Sequence, residues 1–102
     1  HVMDLAEGHV KALDNLMRKG GFNTYNLGTG RGCSVLELVA AFERACGFKI
    51  PYRIVGRRAG DVAECYADPS LAMRDLAWQA TFTIDDMCAH SWQWQSMNPR
   101  GY

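Results

Sequence analysis

Apolar side chains recur along the chain in four stretches with helical spacing, and two short aromatic-rich runs lie between them. From Asp4 to about Lys19 they fall every three to four residues, at Leu5, Ala6, Val10, Ala12, Leu13, Leu16 and Met17, with His9 on the same face. This predicts a helix that buries that face. Asp4 and Glu7 form an acidic relative of the capping box at its start, and Gly20-Gly21 stop it. Phe22 to Leu27, short and bounded by glycines, predicts a strand, and Gly28-Thr29-Gly30-Arg31-Gly32 predicts a loop. Ser34 and Glu37 form the capping box of a second helix, whose inward face is Val35, Leu36, Val39, Phe42 and Cys46 and which Gly47 ends. Pro51 opens a second predicted strand over Tyr52 to Val55.

The segment from Gly56 to Glu64 has no period and is rich in charge, as expected of a surface loop. Asp68-Pro69 is an N-cap and first-turn pair for a short helix to about Leu76, with Trp78 expected to fill the seam behind it. Thr83 caps a last helix whose positive first turn holds Asp85 and Asp86. Its inward positions are Ile84, Met87, Cys88, Ser91 and Trp92, and it ends near Asn98-Pro99. The order is helix, strand, helix, strand, helix, helix. The expected class is α/β, with about four helices and two or three short strands in one domain over residues 1–102.

Composition narrows the function classes. The 102 residues are 48% hydrophobic and 22% charged, which excludes a disordered or collagen-like chain. Eleven basic and eleven acidic residues cancel, so no net charge is available to drive binding to nucleic acid or an anionic membrane. The longest apolar run is Leu38 to Phe42, far short of the roughly 20 residues that span a bilayer. No leader pattern is present, and the opening at His1, directly before an acid-capped helix, suggests a cut through a longer protein. Cys33, Cys46, Cys65 and Cys88 have long, irregular gaps. Two disulfides are possible by count, but buried reduced thiols suit the apolar surroundings better. His1, His9 and His90 share no helical turn, so a zinc site has little support.

Two loops carry candidate chemistry. The glycine loop before the second helix is either a tight strand-to-helix turn or a place where backbone N–H groups meet an anion. Its glycine spacing is not the dinucleotide fingerprint, whose third glycine comes three residues after the second. The loop Arg57-Arg58-Ala59-Gly60-Asp61 offers planar guanidinium forks for phosphate oxygens and a carboxylate for sugar hydroxyls. It reads equally as a solvated, ion-paired loop. No catalytic apparatus is evident. No tyrosine lies four residues before a lysine, as it does in short-chain dehydrogenases, because the positions four after Tyr25, Tyr52 and Tyr66 hold Thr29, Gly56 and Ser70.

Taken in order, His1-Val2-Met3-Asp4-Leu5-Ala6, Tyr25-Asn26-Leu27-Gly28-Thr29-Gly30, Arg57-Arg58-Ala59-Gly60-Asp61-Val62, Trp92-Gln93-Trp94-Gln95 and Asn98-Pro99-Arg100-Gly101-Tyr102 resemble the C-terminal part of the UDP-galactose 4-epimerase family. This family belongs to the extended short-chain dehydrogenase/reductase superfamily. Lys49-Ile50-Pro51-Tyr52 and Cys65-Tyr66-Ala67 lean toward its animal members. The resemblance implies the C-terminal substrate-binding portion of that fold, with the Rossmann half missing. It implies NAD bound by the N-terminal domain, where the catalytic residues also lie. Hydride leaves C4 of the hexose, the keto sugar rotates, and hydride returns to the other face.

The resemblance further implies a role in galactose metabolism, a cytosolic location, a homodimer of the full-length protein, and no activity in this chain alone. Within the loop from Arg58 through Ala59 and Gly60 to Asp61, Arg58 would contact the UDP diphosphate and Asp61 the ribose hydroxyls. Val35 would pack by the uracil, and Cys65 would line the hexose pocket. Bacterial relatives often carry tyrosine at the Cys65 position, so the smaller cysteine implies room for UDP-N-acetylhexosamines. Ala59 stands where many relatives have glutamate. Arg31 stands where they often have a small or neutral residue, and it carries no implied role. Rival readings are another nucleotide-sugar epimerase or dehydratase, or an inactive binding or interaction module.

Overall fold

A computed structural model describes residues 1–101. Four helices follow in chain order: α1 (Val2–Lys19), α2 (Val35–Cys46), α3 (Ser70–Leu76) and α4 (Ile84–Met97). The chain divides into two compact units. The first holds His1–Gly32 and Glu64–Phe82, and the second holds Cys33–Ala63 and Thr83–Tyr102. In the first unit α1 packs on α3, and in the second α2 packs on α4.

No β-strand forms among the described residues, which corrects the expectation for 22–27 and 52–55. Propensity marks a segment that would suit a sheet, but a strand exists only where a second segment completes the ladder of hydrogen bonds. Neither run finds such a partner here. Phe22, Ile54 and Val55 remain exposed.

The faces of α1 also differ from expectation. Its buried residues are Asp4, Gly8 and Asn15, while Leu5, Val10, Leu13, Leu16 and Met17 are exposed. Asp4 is not a cap. The N-cap is His1, whose Nδ1 accepts from the Met3 N–H at 3.1 Å. Asp4 turns inward and is 3% exposed. Its carboxylate accepts from the Thr81 N–H at 3.1 Å, the Thr81 hydroxyl at 2.9 Å and the Phe82 N–H at 3.1 Å. Its backbone carbonyl accepts from the Trp78 indole N–H at 2.9 Å. Trp78, buried as expected, joins Ala72 and Leu76 in the core of this unit, with Ala12, Tyr25, Leu27 and Ala80 packed around them.

Gly8 is the small residue that this packing needs. A Cβ there would lie 2.6 Å from a Leu27 methyl and 3.2 Å from the Trp78 indole nitrogen. The buried stripe of α1 is therefore polar or small because the Trp78 ring and the 78–82 backbone lie across it.

In the second unit the caps form as the sequence indicates. Ser34 and Glu37 bond reciprocally at the start of α2, and Thr83 and Asp86 do so at the start of α4. Gly47 ends α2 in the left-handed conformation that glycine adopts without strain. Cys88 and Ala41 are fully buried, and Ser91 is exposed rather than inward. Phe48 meets Trp92 edge-on at 5.6 Å, and Arg44 Nε donates to Asp85 at 3.1 Å.

Burial alone would raise the Asp4 pKa, but the bonds from Thr81 and Phe82 outweigh it and hold the carboxyl below its ordinary value of 3.8. A depressed carboxyl contributes stability above the unfolded value and loses it as pH falls through the folded one. Asp4→Asn is therefore expected to lower unfolding stability by about 2–4 kcal/mol at neutral pH, since an amide cannot accept all three donors. The gap between parent and variant in urea midpoints should close as pH drops below about 4. A gap independent of pH would refute the charged role.

Ala77 caps α3 at φ 48°, ψ 41° and is the non-glycine residue with positive φ among those described. Relief of left-handed strain, less the entropy glycine restores to the unfolded chain, gives Ala77→Gly an expected net gain of about 0.5–1 kcal/mol. Denaturant titration of the two forms checks this.

Candidate functional site

The loop 56–63 turns sharply at Gly60, where φ is +87°, a conformation open to glycine. The turn brings Arg58 and Asp61 together. Asp61 accepts from the Arg58 backbone N–H at 3.1 Å and from Arg58 Nε at 3.3 Å, and Arg58 Nη2 lies 3.2 Å from the second carboxylate oxygen. The Asp61 N–H returns a bond to the Arg58 carbonyl at 3.2 Å. The Arg58 side chain is nonetheless 86% exposed and that of Asp61 38%, so the pair is open to solvent and contributes little to stability. Of the two readings of this loop, the ion-paired one describes it without ligand. A diphosphate reaching Arg58 would compete with Asp61 for the guanidinium, whose five donors can serve both.

Ala59, Gly60 and Arg57 are exposed. Val35, in the first turn of α2, is 75% exposed. Cys65 is an exposed free thiol in the other unit. The structure thus joins Arg58 to Asp61 within one turn and leaves Val35 and Cys65 with accessible side chains.

The helix start that might have met an anion is already occupied. Glu37 accepts from the Ser34 N–H at 2.7 Å, and its own N–H donates to Ser34 Oγ at 3.1 Å. The glycine loop is explained by close packing. A Cβ on Gly28 would lie 2.9 Å from the Ala67 methyl, and one on Gly32 would lie 3.1 Å from the Glu64 carboxylate. Gly30 takes φ +72°. Thr29 Oγ1 ties the turn by accepting from the Arg31 N–H at 3.3 Å. A carboxylate beside Gly32 disfavours an anion there, and the loop is a close-packed turn into α2 without the expected strand before it. The contacts of Gly28 and Gly32 with the segment around Cys65 escaped the sequence reading, because spacing within the loop carries no information on what lies against it.

All four cysteines are free. Cys88 alone is buried, Cys46 is half-buried, and Cys33 and Cys65 are exposed, so the expected burial of the reduced thiols is met in full at Cys88 and not at Cys33 or Cys65. Burial, then the nearby Asp85 and Cys33, push the Cys88 thiol up and keep it protonated. Among the described residues no three His, Cys, Asp or Glu side chains group as a metal site requires. No described helix is long and apolar enough to cross a membrane.

No family model matches the chain. Relatives are plain, however. Over the whole chain it is 59% identical to UDP-glucose 4-epimerase of Drosophila melanogaster, 56% to that of Bacillus subtilis and 55% to that of Homo sapiens. A solved UDP-glucose 4-epimerase from Stenotrophomonas maltophila, with bound NAD and formylated UDP-arabinopyranose, superposes with a TM-score of 0.91 over 95% of this chain at 50% identity. Another solved UDP-glucose 4-epimerase matches all of the chain with a TM-score of 0.94 at 36% identity.

The chain is similar to the C-terminal part of the UDP-glucose 4-epimerases.

It spans about 30% of the length of these relatives. Identity is 59% to the Drosophila relative, 56% to the Bacillus one and 55% to the human one, so these values do not separate animal from bacterial relatives over the whole chain.

Proposed function

We propose that the full-length protein interconverts UDP-glucose and UDP-galactose, and that residues 1–102 form its C-terminal UDP-sugar-binding part. The observation that carries this reading is identity of 55–59% along the entire chain to UDP-glucose 4-epimerases. The NAD and formylated UDP-arabinopyranose bound in the Stenotrophomonas structure support it. In this reading NAD is bound by the N-terminal domain and supplies hydride removal and return at C4 of the hexose. The protein acts in galactose metabolism in the cytosol, as a homodimer.

The residues of this chain hold the nucleotide. Arg58 offers its exposed guanidinium to the diphosphate, and Asp61 accepts from the ribose hydroxyls. Gly60 gives the turn its shape, and the short Ala59 leaves the backbone open between them. Val35 packs by the uracil, and Cys65 forms a wall of the hexose pocket. Grip on the UDP handle positions the sugar while leaving the ring free to present either face.

The decisive experiment is conversion of UDP-galactose in the presence of NAD. The full-length protein is expected to turn over, and the 102-residue chain alone is expected not to. Turnover by the isolated chain, or none by the whole protein, would overturn the reading.

Loss of the Arg58 charge removes a bond made in ground and transition states alike. Arg58→Ala in the full-length enzyme should mainly raise KM, by roughly 10- to 100-fold, with Arg57→Ala much milder. Equal effects would mean that the register of the loop is misassigned.

A cysteine wall leaves space beside C2 of the sugar. The enzyme is expected to accept UDP-N-acetylglucosamine as well, and Cys65→Tyr should abolish that activity while largely sparing UDP-glucose. Retention of the acetylated substrate by the tyrosine variant would remove Cys65 from the pocket.

A further inference from the structure

The segment that carries Cys65 has little of its own to hold it. Residues 61–69 form no helix or strand, and Glu64, Cys65 and Tyr66 are exposed. The glycine loop lies against this segment. Gly28 faces Ala67, two residues beyond Cys65. A Cβ on Gly28 would sit 2.9 Å from the Ala67 Cβ, 3.8 Å from its Cα and 3.8 Å from its carbonyl oxygen. The Gly32 position faces the residues on either side of Cys65, at 3.1 Å from Glu64 Oε1 and 3.5 Å from Tyr66 Cδ1.

These two contacts differ in kind. At Gly32 the neighbour is the far end of a flexible side chain, which can swing away. At Gly28 it is a methyl fixed to the backbone, so any added bulk must move the main chain of the 64–67 segment. Gly28 does not take a positive φ among the described glycines, so its backbone conformation does not require glycine. Contact with Ala67 is what excludes a side chain there.

We propose that Gly28 is a positioning residue for substrate specificity: its bare Cα fixes where the Cys65 segment runs, and through it the wall of the hexose pocket. This rests on the reading of Cys65 as that wall. A displacement of the segment changes the space beside the sugar's C2 substituent more than the grip on UDP. It is therefore read in the choice between substrates.

The test uses the full-length enzyme and compares kcat/KM for UDP-N-acetylglucosamine with that for UDP-glucose. Gly28→Ala is expected to change this ratio by at least about threefold, and the double variant Gly28→Ala/Ala67→Gly, which removes the opposing methyl, should return it toward the parent value. A purely structural role would lower both activities together and leave the ratio in place. If Gly28→Ala does not fold, Ala67→Ser presses on the same contact with a single added oxygen and should shift the ratio in its stead.

Cys65→Tyr separates the two claims. A shifted ratio with Cys65→Tyr and an unchanged one with Gly28→Ala or Ala67→Ser would overturn the positioning role and leave the Cys65 wall standing. No shift in any variant would overturn both. A shift with Gly28→Ala that Ala67→Gly rescues, without one from Cys65→Tyr, would support positioning of the 64–67 segment and discard Cys65 itself as the wall.

Discussion

One buried carboxylate organises the first unit. Asp4 is taken out of water, where an unpaired charge would be costly, and that cost is offset by three donors from Thr81 and Phe82. Those bonds lay the 78–82 segment along the start of α1. Trp78 then reaches the Asp4 carbonyl with its indole N–H and fills the space against Ala72 and Leu76. Gly8, Ala12 and Asn15 complete the same stripe of the helix. His1 closes its end, with its ring stacked on Phe82 at 4.2 Å. The helix register, the place of the tryptophan and the course of the return segment all follow from where that carboxylate finds its donors.

A second theme is that polar groups which resemble binding sites are satisfied within the chain. The capping boxes of α2 and α4 supply their own carboxylates to the helix starts, and Asp61 supplies one to Arg58. Glu43 does likewise beyond the end of α2, accepting from Lys49 at 2.7 Å and from the Ile50 N–H at 3.0 Å. The bond to Lys49, then that to Ile50, holds the Glu43 carboxyl below its ordinary value. These groups differ in exposure. The caps are local and geometrically closed, whereas the Arg58 guanidinium stands in solvent with donors to spare. An exposed pair in high dielectric is held weakly, which leaves it free to exchange one acceptor for another.

The features legible in the sequence are those whose cause is local. Ser34 with Glu37, Thr83 with Asp86 and the glycine after α2 act within a few residues, so their pattern and their geometry coincide. The end of α4 near Asn98 and the burial of Trp78 were legible for similar reasons. The candidate roles of Val35 and Cys65 were legible only through resemblance, because nothing in their spacing specifies uracil or hexose, whereas the residue types of Arg58 and Asp61 already suited phosphate and sugar hydroxyls. The purpose of Gly28 and Gly32 was hidden, since it depends on residues far along the chain, Ala67 for the first and Glu64 and Tyr66 for the second.

The sequence by itself determined the number of helices and the caps of α2 and α4, though α1 is capped by His1 rather than Asp4 and α3 starts after Pro69 rather than Asp68, and it carried the likeness to UDP-glucose 4-epimerases along its whole length. Which face of α1 lies inward was decided by tertiary structure. Apolar periodicity marks a surface able to be buried, but Asp4, Gly8 and Asn15 line the side that meets Trp78, and the apolar side remains exposed. Tertiary structure likewise left 22–27 and 52–55 outside any sheet, because strand formation needs a partner that propensity cannot provide. Both outcomes have one reason. Burial and pairing belong to two surfaces at once, and a single segment encodes only its own.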